Sequence, residues 1–144
     1  MLIHQILKDK SLDGVATVKP GSKVADAANL LSQKKIGAVI VSDDGVHPKG
    51  ILSERDIVSE LGKVGTGCLD KPVDDLMTAK LITCAPGDRA IQVLQTMTEG
   101  RFRHMPVMEG DEMVGLVSIG DVVKARLEEL SQQADALKNM IMGY

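Results

Sequence analysis

Apolar and polar positions along the chain fall into two matching series. Behind Ser22, the residues Val24, Ala27, Ala28 and Leu31 recur at the spacing of one helix face; behind Asp88, Ile91, Leu94 and Met97 or Thr98 do the same. The continuous run Ala38-Val39-Ile40-Val41 predicts a buried strand. Short strands over about 15–19 and 81–84 run into Pro20-Gly21 and Pro86-Gly87. Proline presets φ and glycine accepts unusual dihedrals, so each strand ends in a turn, with Ser22 and Asp88 as expected helix N-caps. Asp43-Asp44-Gly45 and Glu109-Gly110-Asp111 return the chain into strands ending at Leu52 and Val117, and closing helices begin at Ser53 and Ser118. Helical prefixes, IHQIL near residue 3 and VDDLM near residue 73, precede the two series.

The correspondence is a repeat. Residues 15–42 shifted by 66 place Thr17 on Thr83, Pro20 on Pro86, Gly21 on Gly87 and Val41 on Val107. After a one-residue deletion the shift becomes 65, and Gly50, Ser53, Asp56 and Val58 fall on Gly115, Ser118, Asp121 and Val123. Each repeat therefore reads β-α-β-β-α. The fold class is α+β (mixed α/β): two repeats packed with pseudo-twofold symmetry and an extended C-terminal helix. A unit of roughly 60 residues buries little surface alone, so one core shared across the axis is expected. The spans are 1–62 for repeat 1 with its prefix helix, 63–72 for a linker, 73–130 for repeat 2 with its prefix, and 131–144 for the helical extension. GKVGTG (62–67) lacks the G-K-[ST] order of a phosphate loop and follows a helix, which makes it a flexible linker. Val123, Leu127, Leu130, Ala134, Leu137 and Ile141 line an apolar seam on the last helix, fit to dock on a second subunit or fold back on the prefix helix.

Composition narrows the function. The 144 residues are 44% hydrophobic and 26% charged, but Phe102 and Tyr144 are the only aromatics. There are no rings for a base-stacking platform, and a net charge of -3 with pI near 5.6 provides no basic face for duplex phosphates, so nucleic acid is excluded as a first partner. No apolar run reaches the roughly 20 residues of a membrane span, and the N-terminus has no signal-like apolar stretch, which makes a cytoplasmic protein the expectation. Cys68 and Cys84 lack metal-ligand spacing and read as reduced thiols; His104 has no second ligand beside it, so no metal site is expected.

Two polar groupings carry candidate chemistry. Ser118 and Asp121 stand one turn apart at a helix start, as do Ser53 and Asp56. They can cap the helix, or the carboxylate can accept from a ribose diol while the hydroxyl and free N–H groups face a phosphate. Arg101, Arg103 and His104 gather positive charge where the chain enters Met105-Pro106-Val107, with Phe102 among them; strand alternation would put both arginines on one face and His104 on the other. Ser118, His104 and Asp121 contain the residue types of a hydrolytic triad, but there is no G-x-S-x-G.

The paired repeats, each ending in G-h-x-S-x-x-D, with both threonines and both Pro-Gly turns in register, resemble the tandem cystathionine-β-synthase (CBS) domain family over about residues 1–130. SERDIV with GRFRHMPV is similar to a stand-alone bacterial CBS pair. The resemblance implies a disc of two repeats with clefts for adenosine ligands, and association of two pairs into a homodimer. It implies a repeat-2 site of Thr83, Ser118 and Asp121 with Arg101, Arg103, His104, Met105 and Pro106. It implies a weaker repeat-1 site of Thr17, Ser53 and Asp56 with Gly37 and Ala38, which bring no charge where repeat 2 has Arg103 and His104; Arg55 could add a cation to either cleft. The implied function is a non-catalytic adenine-nucleotide-binding regulatory module, sensing energy or redox state and acting on an unidentified protein. AMP is the first ligand, with NAD(H), ADP, ATP or S-adenosylmethionine as alternatives and no catalytic cofactor. The competing expectations are a structural dimerisation module with degenerate clefts and a nucleotide hydrolase.

Overall fold

The structure, a computed structural model, describes residues 1–10 and 14–143. Positions 11–13 of the expected repeat 1 and Tyr144 of the expected extension lie outside the described residues. The order is α1 (Ile3–Asp9), β1 (Thr17–Val18), α2 (Val24–Lys34), β2 (Ala38–Val41), β3 (Gly50–Ser53), α3 (Glu54–Val64), α4 (Ala90–Gly100), β4 (His104–Glu109), β5 (Glu112–Ser118) and α5 (Ile119–Ile141). In repeat 1, β1 pairs parallel with β2 and β2 antiparallel with β3; in repeat 2, β4 and β5 form an antiparallel pair.

The strand expected at 81–84 shrinks to a single parallel bridge between Cys84 and Val107. Cys84 N donates to Pro106 O at 3.0 Å and Met108 N to Cys84 O at 2.8 Å. In repeat 1, Ile40 N also donates to Ala16 O at 3.0 Å. Pro106 stands where Ile40 stands and has no N–H, so the ladder stops one rung early.

The expected caps are corrected as well. Lys23 and Arg89 occupy the N-cap positions of α2 and α4 without side-chain bonds. Asp88 instead accepts from Ala85 N at 2.8 Å, which closes the Pro-Gly turn, and Asp74 accepts from Gly21 N at 2.7 Å to close the other. The segment 62–67 is not a loose linker: residues 62–64 finish α3, and Thr66–Asp70 form a 3-10 helix packed on α3 and α2 with Cys68 fully buried.

Two buried clusters replace the single shared core. One joins Val24, Val39, Val41 and Leu52 of repeat 1 with Val73, against which Leu76 and Met77 pack. The other joins Val93, Met97, Met105 and Val117 of repeat 2 with Ile3 and Ile6, against which Leu7 packs. Each prefix thus covers the opposite repeat. Backbone bonds fix the exchange: Ile3 N to Asp88 O at 2.9 Å and Ala90 N to Met1 O at 2.9 Å on one side, Val73 N to Ser22 O at 2.7 Å and Val24 N to Lys71 O at 2.9 Å on the other. A lone repeat leaves one face of its core open; the exchange closes both faces and ties the repeats together.

The exchange also explains the glycines of the repeated motif. A Cβ on Gly50 would collide with Met77 Sδ and lie 3.1 Å from the Thr78 backbone oxygen; a Cβ on Gly115 would lie 2.7 Å from Leu7 Cδ2. Met77 and Leu7 are the equivalent prefix residues. Gly50→Ala is therefore expected to lower stability by about 1–3 kcal/mol in denaturant titration, since a backbone oxygen cannot step aside. An unchanged midpoint would contradict this packing.

Helix α5 buries Val122 and Ala125 and then leaves the body. Among the described residues its seam stays uncovered, with Leu127 61% and Leu137 58% exposed, although α5 meets α1 and its Glu129 pairs with the Met1 amino group. No described helix is long and apolar enough to cross a membrane.

Candidate functional site

Both repeats build the same corner at the start of their closing helix. His104 pairs with Ser118 as Ala38 pairs with Ser53, and Ile119 N donates to Arg103 O at 2.8 Å as Glu54 N donates to Gly37 O at 2.9 Å. Each serine then forms a reciprocal capping box with its aspartate. Asp121 N donates to Ser118 Oγ at 3.1 Å and Ser118 N to Asp121 Oδ2 at 2.9 Å. Asp56 N donates to Ser53 Oγ at 3.2 Å and Ser53 N to Asp56 Oδ2 at 2.9 Å. Capping occupies one oxygen, Oδ2. Among the described residues, Oδ1 of each aspartate has no hydrogen-bond partner and can still accept from a hydroxyl pair.

The corners differ in charge. In repeat 2, Lys10 Nζ donates to Asp121 Oδ2 at 2.9 Å and to Leu116 O at 2.8 Å. Burial alone would raise the Asp121 pKa, but the bonds from Lys10 and Ser118 outweigh it and hold the carboxyl below its usual range. His104 lies half-buried against the opposite repeat: a Cβ on Gly37 would sit 3.1 Å from its Cε1. Burial, then Lys10, push the His104 pKa down; Glu54 and Asp121 push it up, and Arg103 lowers it further. The imidazole is consequently neutral at neutral pH, with two cations and two carboxylates within electrostatic reach. In repeat 1, Gly37 and Ala38 bring no charge, and no cation pairs with Asp56 among the described residues.

The structure brings some of the residues singled out in the sequence to one place and leaves others elsewhere. His104, Ser118 and Asp121 meet at this corner, and Arg103 reaches it through its backbone oxygen and its charge on His104; Lys10 and Glu54 join them, and neither is visible along the chain because the prefix exchange and the repeat interface bring them in. Arg101 stands apart. It is the left-handed C-cap of α4, with φ of 57°, and β4 begins only at His104, so strand alternation does not govern the arginines. Met105 is 2% exposed in the repeat-2 core, which leaves only its backbone for the groove, and Ala38 is likewise buried. Phe102 packs on that core and against Gly100 instead of facing the basic residues. Pro106 is buried in β4, Thr83 is exposed beside the Cys84 bridge, and Thr17 is half-buried in β1. Arg55 is exposed on the first turn of α3. Cys68 and Cys84 are free and buried, and burial, followed by Asp88, pushes the Cys84 thiol up to about 12, which leaves it unreactive.

Two depressions flank the corner. One of about 260 Å³ runs between α1 and α5 and is lined by Ile6, Lys10, Asp121 and Lys124. The other, about 500 Å³, lies between α2 and α3 and reaches Gly37 and Glu54.

The two perturbed histidines make opposite predictions. His104 should titrate below 6.5, and His47, hydrogen-bonded to Asp44, above it. For His104 the unfolded chain takes up the proton first, so this group withdraws stability as pH falls through 6.5 and has no effect well above it. Proton–nitrogen correlation spectra across pH 5–8 check both; a His104 midpoint above 6.5 would refute the burial described here.

Known proteins share this architecture. The CBS domain family model matches residues 10–63 and 73–128. The mitochondrial CBS domain-containing protein CBSX3 of Arabidopsis thaliana is 36% identical over 141 residues, covering 94% of this chain and 68% of its own length. A crystal structure of a CBS-domain containing protein from Agrobacterium tumefaciens is 40% identical, covers 88% of this chain and 99% of its own, and superposes with a TM-score of 0.82. CBSX2, crystallised in complex with AMP, is 27% identical and covers 88% of this chain and 96% of its own with a TM-score of 0.73.

Proposed function

This chain belongs to the CBS-domain family, and from that premise we propose that it is a non-catalytic regulatory module binding AMP, or a related adenosyl ligand, in the groove of repeat 2. The observation that carries the reading is the Asp121 corner: a carboxylate fixed by its own capping box, with one oxygen free, beside Lys10, Arg103 and the neutral His104. The free oxygen accepts from the ribose hydroxyls. Lys10 and Arg103 neutralise the phosphate by charge-assisted bonds, each worth about 1.5–3 kcal/mol. With Phe102 committed to the core, the adenine rests on aliphatic walls and backbone groups. CBSX2, with AMP bound, supports this ligand class. NAD(H), ADP, ATP and S-adenosylmethionine share the adenosine half and remain the alternatives.

Regulation follows from the seat of the ligand between repeats. His104 of one repeat lies over Gly37 of the other, where there is little room for a side chain. A ligand in that groove favours the arrangement it binds best, and the shift equals its differential affinity for the two states. The repeat-1 corner, where no cation pairs with Asp56 among the described residues, is the weaker site. The uncovered seam of α5 supports a homodimer, in which Leu127, Leu130 and Leu137 meet a second copy; sedimentation should find a dimer that Leu130→Asp dissociates.

A thermal-shift panel tests the function. AMP should raise the melting temperature, with no nucleotide consumed on chromatography. No response to any adenosyl ligand would favour a purely structural dimer module, and turnover of a nucleotide would refute the non-catalytic reading. Because a phosphate dianion stabilises the imidazolium, bound AMP should also raise the His104 midpoint.

A further inference from the structure

We propose that His47, Asp111 and Glu112 form a zinc-class metal site that bridges the two repeats. His47 lies on the loop between β2 and β3, Asp111 lies on the turn between β4 and β5, and Glu112 opens β5. Their metal-binding atoms all fall within 4.8 Å of one another. The two loops are locked together, since Met113 N donates to Val46 O at 2.7 Å.

The histidine is oriented in advance. Asp44 Oδ1 accepts from Val46 N and His47 N, each at 2.8 Å, and Asp44 Oδ2 lies 2.6 Å from His47 Nδ1. A carboxylate on Nδ1 selects the tautomer whose Nε2 carries the lone pair, the arrangement common behind metal-bound histidines. Nε2 then faces Asp111 Oδ2 at 3.7 Å. That is too long for a hydrogen bond. It is close to the separation of two ligand atoms about 2.1 Å from one zinc at a tetrahedral angle, roughly 3.4 Å. All three side chains are exposed, so small torsions close the remaining gap and water can complete the shell. The charge is suitable: two carboxylates offset the dication, and Lys49, the cation on the same loop, is paired with Asp43 at 2.5 Å.

The test is metal binding by the intact chain, read without any nucleotide. Equilibrium dialysis should find one zinc per chain, and bound Co²⁺ should show visible absorption from a nitrogen–oxygen site. His47→Ala and Asp111→Asn should each abolish binding. Asp44→Asn, which touches no metal, should weaken it by about ten- to a hundredfold. Acid should release the metal as Nε2 protonates. Failure to retain zinc at micromolar concentration, or equal retention by His47→Ala, would overturn the proposal. The site shares no residue with the Asp121 groove, so either can fail without the other.

Discussion

Asp121→Ala is expected to weaken AMP binding by at least about a hundredfold, because two hydrogen bonds to an ionised carboxylate are lost, and each is worth about 1.5–3 kcal/mol. The same change removes half of the α5 capping box, at a cost of about 1 kcal/mol in stability. Asp121→Asn separates the two effects: the amide oxygen can keep the cap, but the neutral group holds the ribose and Lys10 more weakly. Asp56→Ala removes the equivalent capping partner in repeat 1 and should leave the tight site unchanged. Isothermal titration of the three variants distinguishes the grooves. If Asp56→Ala reproduced the loss and Asp121→Ala did not, the assignment of the binding groove would be reversed.

Ile3→Ala should cost about 2–5 kcal/mol, the range for emptying a packed aliphatic site. Ile3 is fully buried, yet it lies in the first helix and fills the core of the second repeat. The loss should appear in global denaturation and, by hydrogen exchange, first in α4, β4 and β5. A variant that loosened only repeat 1 would contradict the exchanged prefixes.

That exchange marks where sequence reasoning stopped. The repeat was legible because its turns and motif residues recur in register, and the helices were legible from the spacing of Val24, Ala27 and Leu31. The partner of each prefix was not, since α1 and the segment at 73–77 have the same apolar pattern whichever core they cover. The short first strand of repeat 2 had a readable cause in Pro106, which the apolar pattern hides. In the groove, Asp121, Arg103 and His104 stood out by type and position. Lys10 did not, because only tertiary packing brings it to Asp121 and Leu116. The equivalent acceptor in repeat 1, Ile51 O, receives the Thr78 backbone N–H at 2.9 Å instead. The repeats thus solve one bonding problem in two ways, and repeat 2 gains a cation by it. Adjacency in sequence groups Arg101 with Arg103 and His104, whereas the backbone makes it the left-handed C-cap of α4.

The central claim is that the repeat-2 groove holds an adenosine ligand by its ribose and its phosphate together. Calorimetric titration of AMP and adenosine into the full chain tests it most directly. The account predicts one tight site per chain, with AMP bound at least about tenfold more strongly than adenosine through its charge-assisted phosphate bonds, and that advantage lost in Arg103→Ala. No measurable AMP binding, or equal affinity for AMP and adenosine, would contradict it.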